Sequence, residues 1–238
     1  MRARRQRRTT GVGSTAIISS LRACSSAREV AEAADVVVLA VKPQVLPDVL
    51  PQIAPVVTAQ TLVVSIAAGK PTAYYEAALS DGVPVVRVMP NIAARVGASA
   101  SAVCGGKSAQ EGHLELVRTM FRTVGAVYDL PEKHFPAFGA LGGASGAFVF
   151  LYIDALASAG VKAGLPRALA QQIAEQTVLG SAQLSQQSAE HPIALMDQVC
   201  SPGGTTIEGV HTLKRLGFET AVQQAIDAII EKDKRLAQ

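Results

Sequence analysis

The sequence predicts an α/β protein in two parts, a parallel sheet domain over residues 26–131 and an all-helical domain over 132–238. Three observations carry this. Runs rich in β-branched residues at Val36–Val41, Thr61–Ile66 and Pro84–Met89 are separated by helical segments, which is the pattern of βαβ units and a parallel sheet. After Lys133 the periodicity is helical only. Gly164-Leu-Pro166 and Ser201-Pro-Gly-Gly204 punctuate that second half as helix breaks.

The elements follow in order. Ser26-Ala-Arg-Glu29 is a capping box, opening a short helix that ends near Ala34. Asp35 leads into Val36-Val-Val-Leu-Ala-Val41, a continuous run typical of a strand covered on both faces. A helix from about Gln44 to Ala54 precedes the strand Thr61–Ile66, and a helix around Thr72–Leu79 precedes the strand Pro84–Met89. Ala100–Cys104 and Ala126–Leu130 are further strands, around a helix starting at the capping box Ser108-x-x-Glu111. Helices are expected at 133–140, 146–163, 167–188, 191–200, 204–215 and 218–237.

The apolar run Phe135–Ile153 raises the question of a membrane span. Pro136, Gly139, Gly142, Gly143 and Gly146 interrupt it, and Asp154 and Lys162 follow, so a buried helix is the better reading. In helix 146–163, Phe148, Phe150, Leu151, Tyr152, Ile153, Leu156 and Val161 cover more than one face. A lone surface helix carries one apolar stripe, so an intertwined homodimer is expected. The helical half is also expected to have a core of its own.

Composition narrows the function. The chain has 238 residues, 49% hydrophobic and 17% charged, which excludes a mainly disordered protein. The formal charge of +3 rests on Arg2, Arg4, Arg5, Arg7 and Arg8, and the remaining body is slightly acidic. A nucleic-acid partner is therefore not expected. Residues 1–25 read as an irregular basic head, either a targeting segment or a misassigned start. Cys24, Cys104 and Cys200 lie far apart without CxxC spacing, which speaks against a disulfide scaffold and fits a reducing, cytoplasmic setting. The four histidines show no metal-ligand spacing, so no metal is expected.

Two features could carry chemistry. Ala40-Val-Lys-Pro43, Ala67-Ala-Gly69 and Met89-Pro-Asn91 each follow the carboxyl end of a strand, where open parallel sheets bind ligands. Small residues and prolines there admit a flat cofactor, and Lys42 and Asn91 can reach phosphate or amide groups. The second is Val199-Cys-Ser-Pro-Gly-Gly-Thr-Thr-Ile-Glu208, where Ser, two Gly and two Thr stand at a helix start. Free backbone N–H groups and hydroxyls together suit a carboxylate or phosphate, and exceed what a cap needs.

Val38-Leu-Ala-Val-Lys-Pro-Gln44, Val64-Ser-Ile-Ala-Ala-Gly69, Arg87-Val-Met-Pro-Asn91, the stretch Asp154–Arg167 and Val199-Cys-Ser-Pro-Gly-Gly-Thr-Thr-Ile207 together resemble the pyrroline-5-carboxylate reductases, in order along the chain. The resemblance implies a Rossmann-like sheet domain followed by an all-helical domain that dimerises, often within larger rings. It implies NADPH-dependent (sometimes NADH-dependent) reduction of 1-pyrroline-5-carboxylate to L-proline, the last step of proline synthesis. By matching positions, Ala40, Val41, Lys42, Pro43, Ile66, Ala68 and Asn91 fall on the cofactor edge. Ser201, Gly204, Thr205 and Thr206 fall on the loop that holds the substrate carboxylate, with Thr206 as the candidate for contact with the ring nitrogen or carboxylate. Glu132 and Gln198 fall near the substrate, the latter usually Asn in related enzymes. Without the resemblance, Glu132 reads as a solvated carboxylate opening a helix.

The chain departs from the pattern twice. Gly143-Ala-Ser-Gly-Ala-Phe148 has Gly146 where the family commonly has a helix-starting proline, which should loosen that helix N-terminus. At the front, the family has a hydrophobic strand and a glycine-rich turn, and needs about 20 residues more than this chain to reach the Val-Lys-Pro strand. Gly11-Val-Gly-Ser-Thr-Ala16 matches the glycine spacing, but the arginine-rich residues before it cannot be a buried strand, so the match reads as accidental. The sheet domain is thus expected to be N-terminally truncated. The alternative function is a non-catalytic member that keeps the dimerising helices and binds cofactor poorly.

Overall fold

The structure, a computed structural model, describes residues 22–236. Most of the basic head, including Gly11-Val-Gly13, lies outside them. The first half alternates helices and strands: α1 (Ala27–Glu32), β1 (Val36–Leu39), α2 (Leu46–Ile53), β2 (Leu62–Ser65), α3 (Thr72–Glu76), β3 (Val85–Met89), β4 (Ser99–Gly105), α4 (Glu111–Arg122) and β5 (Gly125–Asp129). Ser26 caps α1, its hydroxyl accepting from the Glu29 N–H at 3.2 Å. The Glu29 carboxylate reaches back to the Ser25 N–H and hydroxyl.

The strands lie in sequence order, β1-β2-β3-β4-β5. β1, β2 and β3 run parallel, as do β4 and β5, but β3 and β4 pair antiparallel. The expected parallel sheet is thus present, with one antiparallel junction that the sequence did not indicate. A parallel crossover needs a dozen or more residues. The link from Met89 to Ser99 holds only a 3-10 turn, Ile92–Val96, closed by Gly97 at φ 72°, so the chain returns at once. The start of α4 is corrected too. Its cap is Gln110, whose N–H donates to His113 Nδ1 at 3.0 Å, and the Ser108/Glu111 pair is not used.

Apolar residues fill both faces of the sheet. α2 and α3 bring Leu46, Leu50, Ile53 and Tyr75 onto Val37, Leu39, Val63 and Val85. α4 brings Val117 onto Leu62, Val64, Val86, Val88 and Val103. β1 is covered less completely than its sequence suggested, with Val38 42% exposed.

From Glu132 the chain is helical throughout. A 3-10 turn (Glu132–His134), α5 (Phe135–Phe138), a π-helical turn (Gly139–Ala144) and α6 (Gly146–Lys162) form one helical stretch. α7 (Arg167–Gln187), α8 (Pro192–Val199), α9 (Thr205–Arg215) and α10 (Phe218–Leu236) follow. α6 and α7 form a hairpin in which a Cβ added at Gly160 would stand 3.1 Å from that of Ala170. Beyond Phe135 and Ala140 at its entry, the buried apolar residues of this half, among those described, are Ala157, Ala170 and Ala174. Two expectations are therefore corrected: the helical half has no substantial core of its own, and α6 is not a buried helix within one chain. Phe150 is 64% and Leu151 70% exposed. The stretch Glu132–Lys162 is long and apolar enough to cross a membrane by length and composition alone.

Candidate active site

The carboxyl ends of β1, β2 and β3 lie side by side. Leu39 pairs with Ser65 and Ser65 with Arg87, and the Ile66 N–H donates to the Leu39 carbonyl at 3.2 Å. Beyond these pairs the edge is built from Ala40, Val41, Lys42 and Pro43, then Ile66 and Ala68, then Asn91. Ala40 and Ala68 are small and exposed, Val41, Ile66 and Pro43 half-buried, and Lys42 exposed. Gly69 turns the chain at φ 74°, and no atom lies within 4 Å of where its Cβ would stand. Such an edge suits a flat ring lying against backbone, with one cation in reach.

The turn after β2 is braced from below. Ser65 Oγ accepts from the Ala67 N–H at 3.2 Å and donates to the Tyr75 hydroxyl at 2.6 Å. Tyr75 is fully buried, and burial pushes its phenol up against the opposing effect of that hydrogen bond.

Two predicted site residues near the sheet edge, Asn91 and Glu132, are engaged inside the chain. Asn91 caps the 3-10 turn, its Oδ1 accepting from the Ala93 N–H at 3.0 Å, and its Nδ2 donates to the Gly142 carbonyl at 2.7 Å. Its side chain therefore ties the sheet to the π-helical turn. Glu132 is not the solvated carboxylate read from the residues alone. Its Oε1 accepts from the Thr72 N–H at 2.8 Å and from Arg87 Nη1 at 3.0 Å, and its Oε2 from the Thr72 hydroxyl at 2.9 Å. The Arg87 guanidinium lies 4.5 Å from the centre of the Phe135 ring. Across β4, the half-buried Cys104 pairs with Arg87, and burial pushes its thiol up to about 12.

Arg87, Thr72 and Phe135 were missed from the sequence. The available signal was an arginine inside Val85-Val-Arg-Val-Met89, since a charge in a buried strand needs a partner.

The loop between α8 and α9 is the second part of the site. Gly203 has φ 68°, the Gly204 N–H donates to the Ser201 carbonyl at 3.0 Å, and no side chain caps α9. Ser201, Thr205 and Thr206 are exposed. Gln198, just before the loop, donates from Nε2 to the Glu190 carboxylate. An uncapped helix start beside three hydroxyls is an anion site in its chemistry. The main packing of α9 is against α10, and none of the main helix packings carries this loop to the sheet edge within one chain. Among the described residues no group of three or more His, Cys, Asp or Glu could hold a metal ion.

Residues 132–236 match the family model described as pyrroline-5-carboxylate reductase dimerisation, and residues 4–69 match that of NADP oxidoreductase, coenzyme F420-dependent. A dinucleotide-binding sheet joined to a dimerising helical half defines the class, an oxidoreductase of the Rossmann-like type. Relatives narrow it. The pyrroline-5-carboxylate reductase of Methanosarcina acetivorans is 42% identical over 85% of this chain and 75% of its own. That of Glycine max is 42% identical over 88% of this chain and 76% of its own. Among solved structures, Plasmodium falciparum pyrroline carboxylate reductase with NADP bound superposes with a TM-score of 0.83 at 32% identity, covering 90% of this chain and 82% of that one. The chain belongs to the pyrroline-5-carboxylate reductase family.

Proposed function

We propose that this protein reduces 1-pyrroline-5-carboxylate to L-proline, using NADPH or NADH, as a homodimer or larger homo-oligomer in the cytoplasm. Residues 26–131 serve the nucleotide and residues 132–238 serve dimerisation and the substrate. The observation that carries this reading is the uncapped start of α9 with Ser201, Thr205 and Thr206 exposed around it. It is a carboxylate-binding element in a family that acts on a cyclic imino acid.

The residues present fit the nucleotide. Ala40, Val41, Lys42 and Pro43, Ile66 and Ala68, and the backbone at Asn91 line three adjacent strand ends, with Ala40, Lys42 and Ala68 exposed there. When bound, the nicotinamide supplies the hydride. The chain's own residues do the rest by positioning. The backbone N–H groups of Thr205 and Thr206, with the Ser201 hydroxyl, hold the substrate carboxylate, the Gly204 N–H being used to close the loop on the Ser201 carbonyl, and Gln198 stands at the rim of that loop. The Thr206 hydroxyl accepts from the protonated ring N–H or donates to the carboxylate. A substrate that enters already protonated is electrophilic at its C=N carbon, so no strong general base is needed.

Because one chain keeps its loop away from its sheet edge, a second copy is proposed to bring the two together. The same association covers Phe150 and Leu151, which a membrane or water would otherwise have to meet. The test is direct. The purified protein is given NADPH and 1-pyrroline-5-carboxylate, with proline and cofactor oxidation measured together and the particle mass measured in parallel. Stoichiometric proline from a dimer or larger particle is expected. A well-formed dimer that makes no proline would establish the non-catalytic alternative instead.

A further inference from the structure

We propose that the Arg87–Glu132 ion pair is a positioning element of the reductase, a clamp that fixes the start of the helical half on the cofactor edge; this rests on the function proposed above. Arg87 sits mid-strand among valines at 6% exposure, a place where an apolar side chain would pack at less cost. Its partner is not local. Glu132 is the first helical residue after the sheet, and the same carboxylate also holds the Thr72 N–H and hydroxyl. Thr72 opens α3, separated from the turn Ala67-Ala-Gly69 by Lys70 and Pro71. One carboxylate thus ties together the middle strand, the turn that faces the cofactor and the entry to the helices.

The guanidinium is placed for this contact rather than for its own satisfaction. Its face rests on Phe135, again in the helical half, while its Nε is buried with no hydrogen-bond partner. A buried unpaired donor is a cost that a purely packing role would not retain. A second tie, from Asn91 Nδ2 to the Gly142 carbonyl, holds the far end of the same segment. Residues 132–142, including most of the π-helical turn, are therefore pinned at both ends, with β4 packed on that turn and Met89 of β3 beside Gly139. Releasing one pin lets α6 drift relative to the sheet edge. Hydride transfer is sensitive to such drift, since a misplacement of about 1 Å is able to cost about a hundredfold in rate.

The test replaces both charges in the full-length protein, Arg87→Met with Glu132→Gln, which leaves no unpaired buried charge. Replacement of a buried pair in this way is often neutral for stability, so parental particle mass and melting temperature are expected. The kcat should fall about tenfold or more, with the KM for NADPH changed by less than about twofold, because positioning and not binding is lost. Amide hydrogen exchange across residues 132–144 should speed up. Parental kcat together with parental exchange would overturn the proposal. If the double variant does not assemble, Thr72→Val, which loses only the hydroxyl bond to Glu132, carries the test; a kcat several-fold lower is expected, and a parental kcat overturns the clamp. If the parent protein makes no proline, the function proposed above fails, and exchange alone decides. Faster exchange at 132–144 in the double variant upholds the clamp, and unchanged exchange overturns it.

Discussion

The two halves of the molecule are built on opposite economies. The sheet half buries large side chains on both faces, with Leu46, Ile53, Val63, Val86 and Val103 all at or near zero exposure. Among its described residues the helical half buries Phe135 and four alanines, and leaves Phe150, Leu151, Leu184, Val199 and Leu216 in the open. Hydrophobic burial stabilises by roughly 25 cal/mol per Å², so the sheet half stabilises itself, while the helical half leaves apolar area that association would have to bury. On the function proposed above, the nucleotide edge lies on the self-sufficient half and the carboxylate loop on the dependent one. On that reading, oligomerisation would be a condition of folding for the helices as well as for assembly of the site.

The largest expected effect breaks this comparison at its weaker half. Leu151→Arg places a charge on the most apolar surface of α6. If that surface is a subunit interface, the buried unpaired charge costs about 3–5 kcal/mol, and sedimentation should show dissociation with loss of helical circular dichroism. On a surface facing solvent, the same change would stay within about 0.5 kcal/mol. An intact dimer of parental stability would remove the division drawn here.

Leu46→Ala is the counterpart on the sheet. Leu46, the first residue of α2, is fully buried against the sheet, and truncation should cost about 2–5 kcal/mol through lost transfer energy and the cavity left behind. Calorimetry should show the sheet transition lowered while the particle mass at low temperature stays parental. Loss of the dimer at temperatures where the sheet is still folded would mean that the two halves are not separable in this way.

The division was only partly legible in the sequence. β1, β2 and β3 were readable because buried parallel strands are unbroken apolar runs, and the Ser26 cap because its geometry is local. The reversal of β4 was not, because a 3-10 turn and a glycine at positive φ leave no apolar period to read. The α4 cap was misplaced by two residues because Ser108/Glu111 and Gln110/His113 both offer acceptable pairs. In the site, the strand ends and the α9 loop were readable as local motifs. The engagement of Glu132 by Arg87 and Thr72, and of Asn91 by Gly142, was not, since those partners are distant along the chain. The exposure of the helical half was misjudged for a related reason. Apolar periodicity tells which residues are buried, but not whether their cover comes from the same chain. Gly11–Ala16 lies outside the described residues, and the oxidoreductase match over residues 4–69 spans it.

A smaller effect sharpens the division of function. Thr206→Val removes one hydroxyl at the α9 start without changing the shape of the side chain. If the loop holds the substrate, the partner group left unpaired costs about 1–3 kcal/mol, read as a higher apparent KM for the imino acid. The KM for NADPH should not change, because the cofactor edge lies on the other half. Steady-state kinetics with each substrate varied in turn separates the two, and an unchanged KM for the imino acid would remove the loop from the site.

The smallest effect tests how tightly the helical half is specified at its entry. Gly146 is the first residue of α6, directly after the π-helical turn. The sequence suggests that a glycine there loosens the helix, and Ser145 partly offsets this. Its hydroxyl donates to the Leu141 carbonyl, and its own carbonyl accepts from Phe148 and Val149 at 2.9 and 3.2 Å. The remaining cost is the backbone freedom of Gly146 in the unfolded chain. No atom lies within 4 Å of where its Cβ would stand, and its φ is not positive, so alanine fits without strain. Gly146→Ala should therefore stabilise the helical half by about 0.5–1 kcal/mol. For a half of this size that is a rise of roughly 2–8 °C in its own transition. The sheet transition should not move, since nothing in its core touches the substituted atom. A shift shared equally by both transitions would mean that the two halves melt as one unit, and a fall in stability would place a second copy of the chain against Gly146 itself.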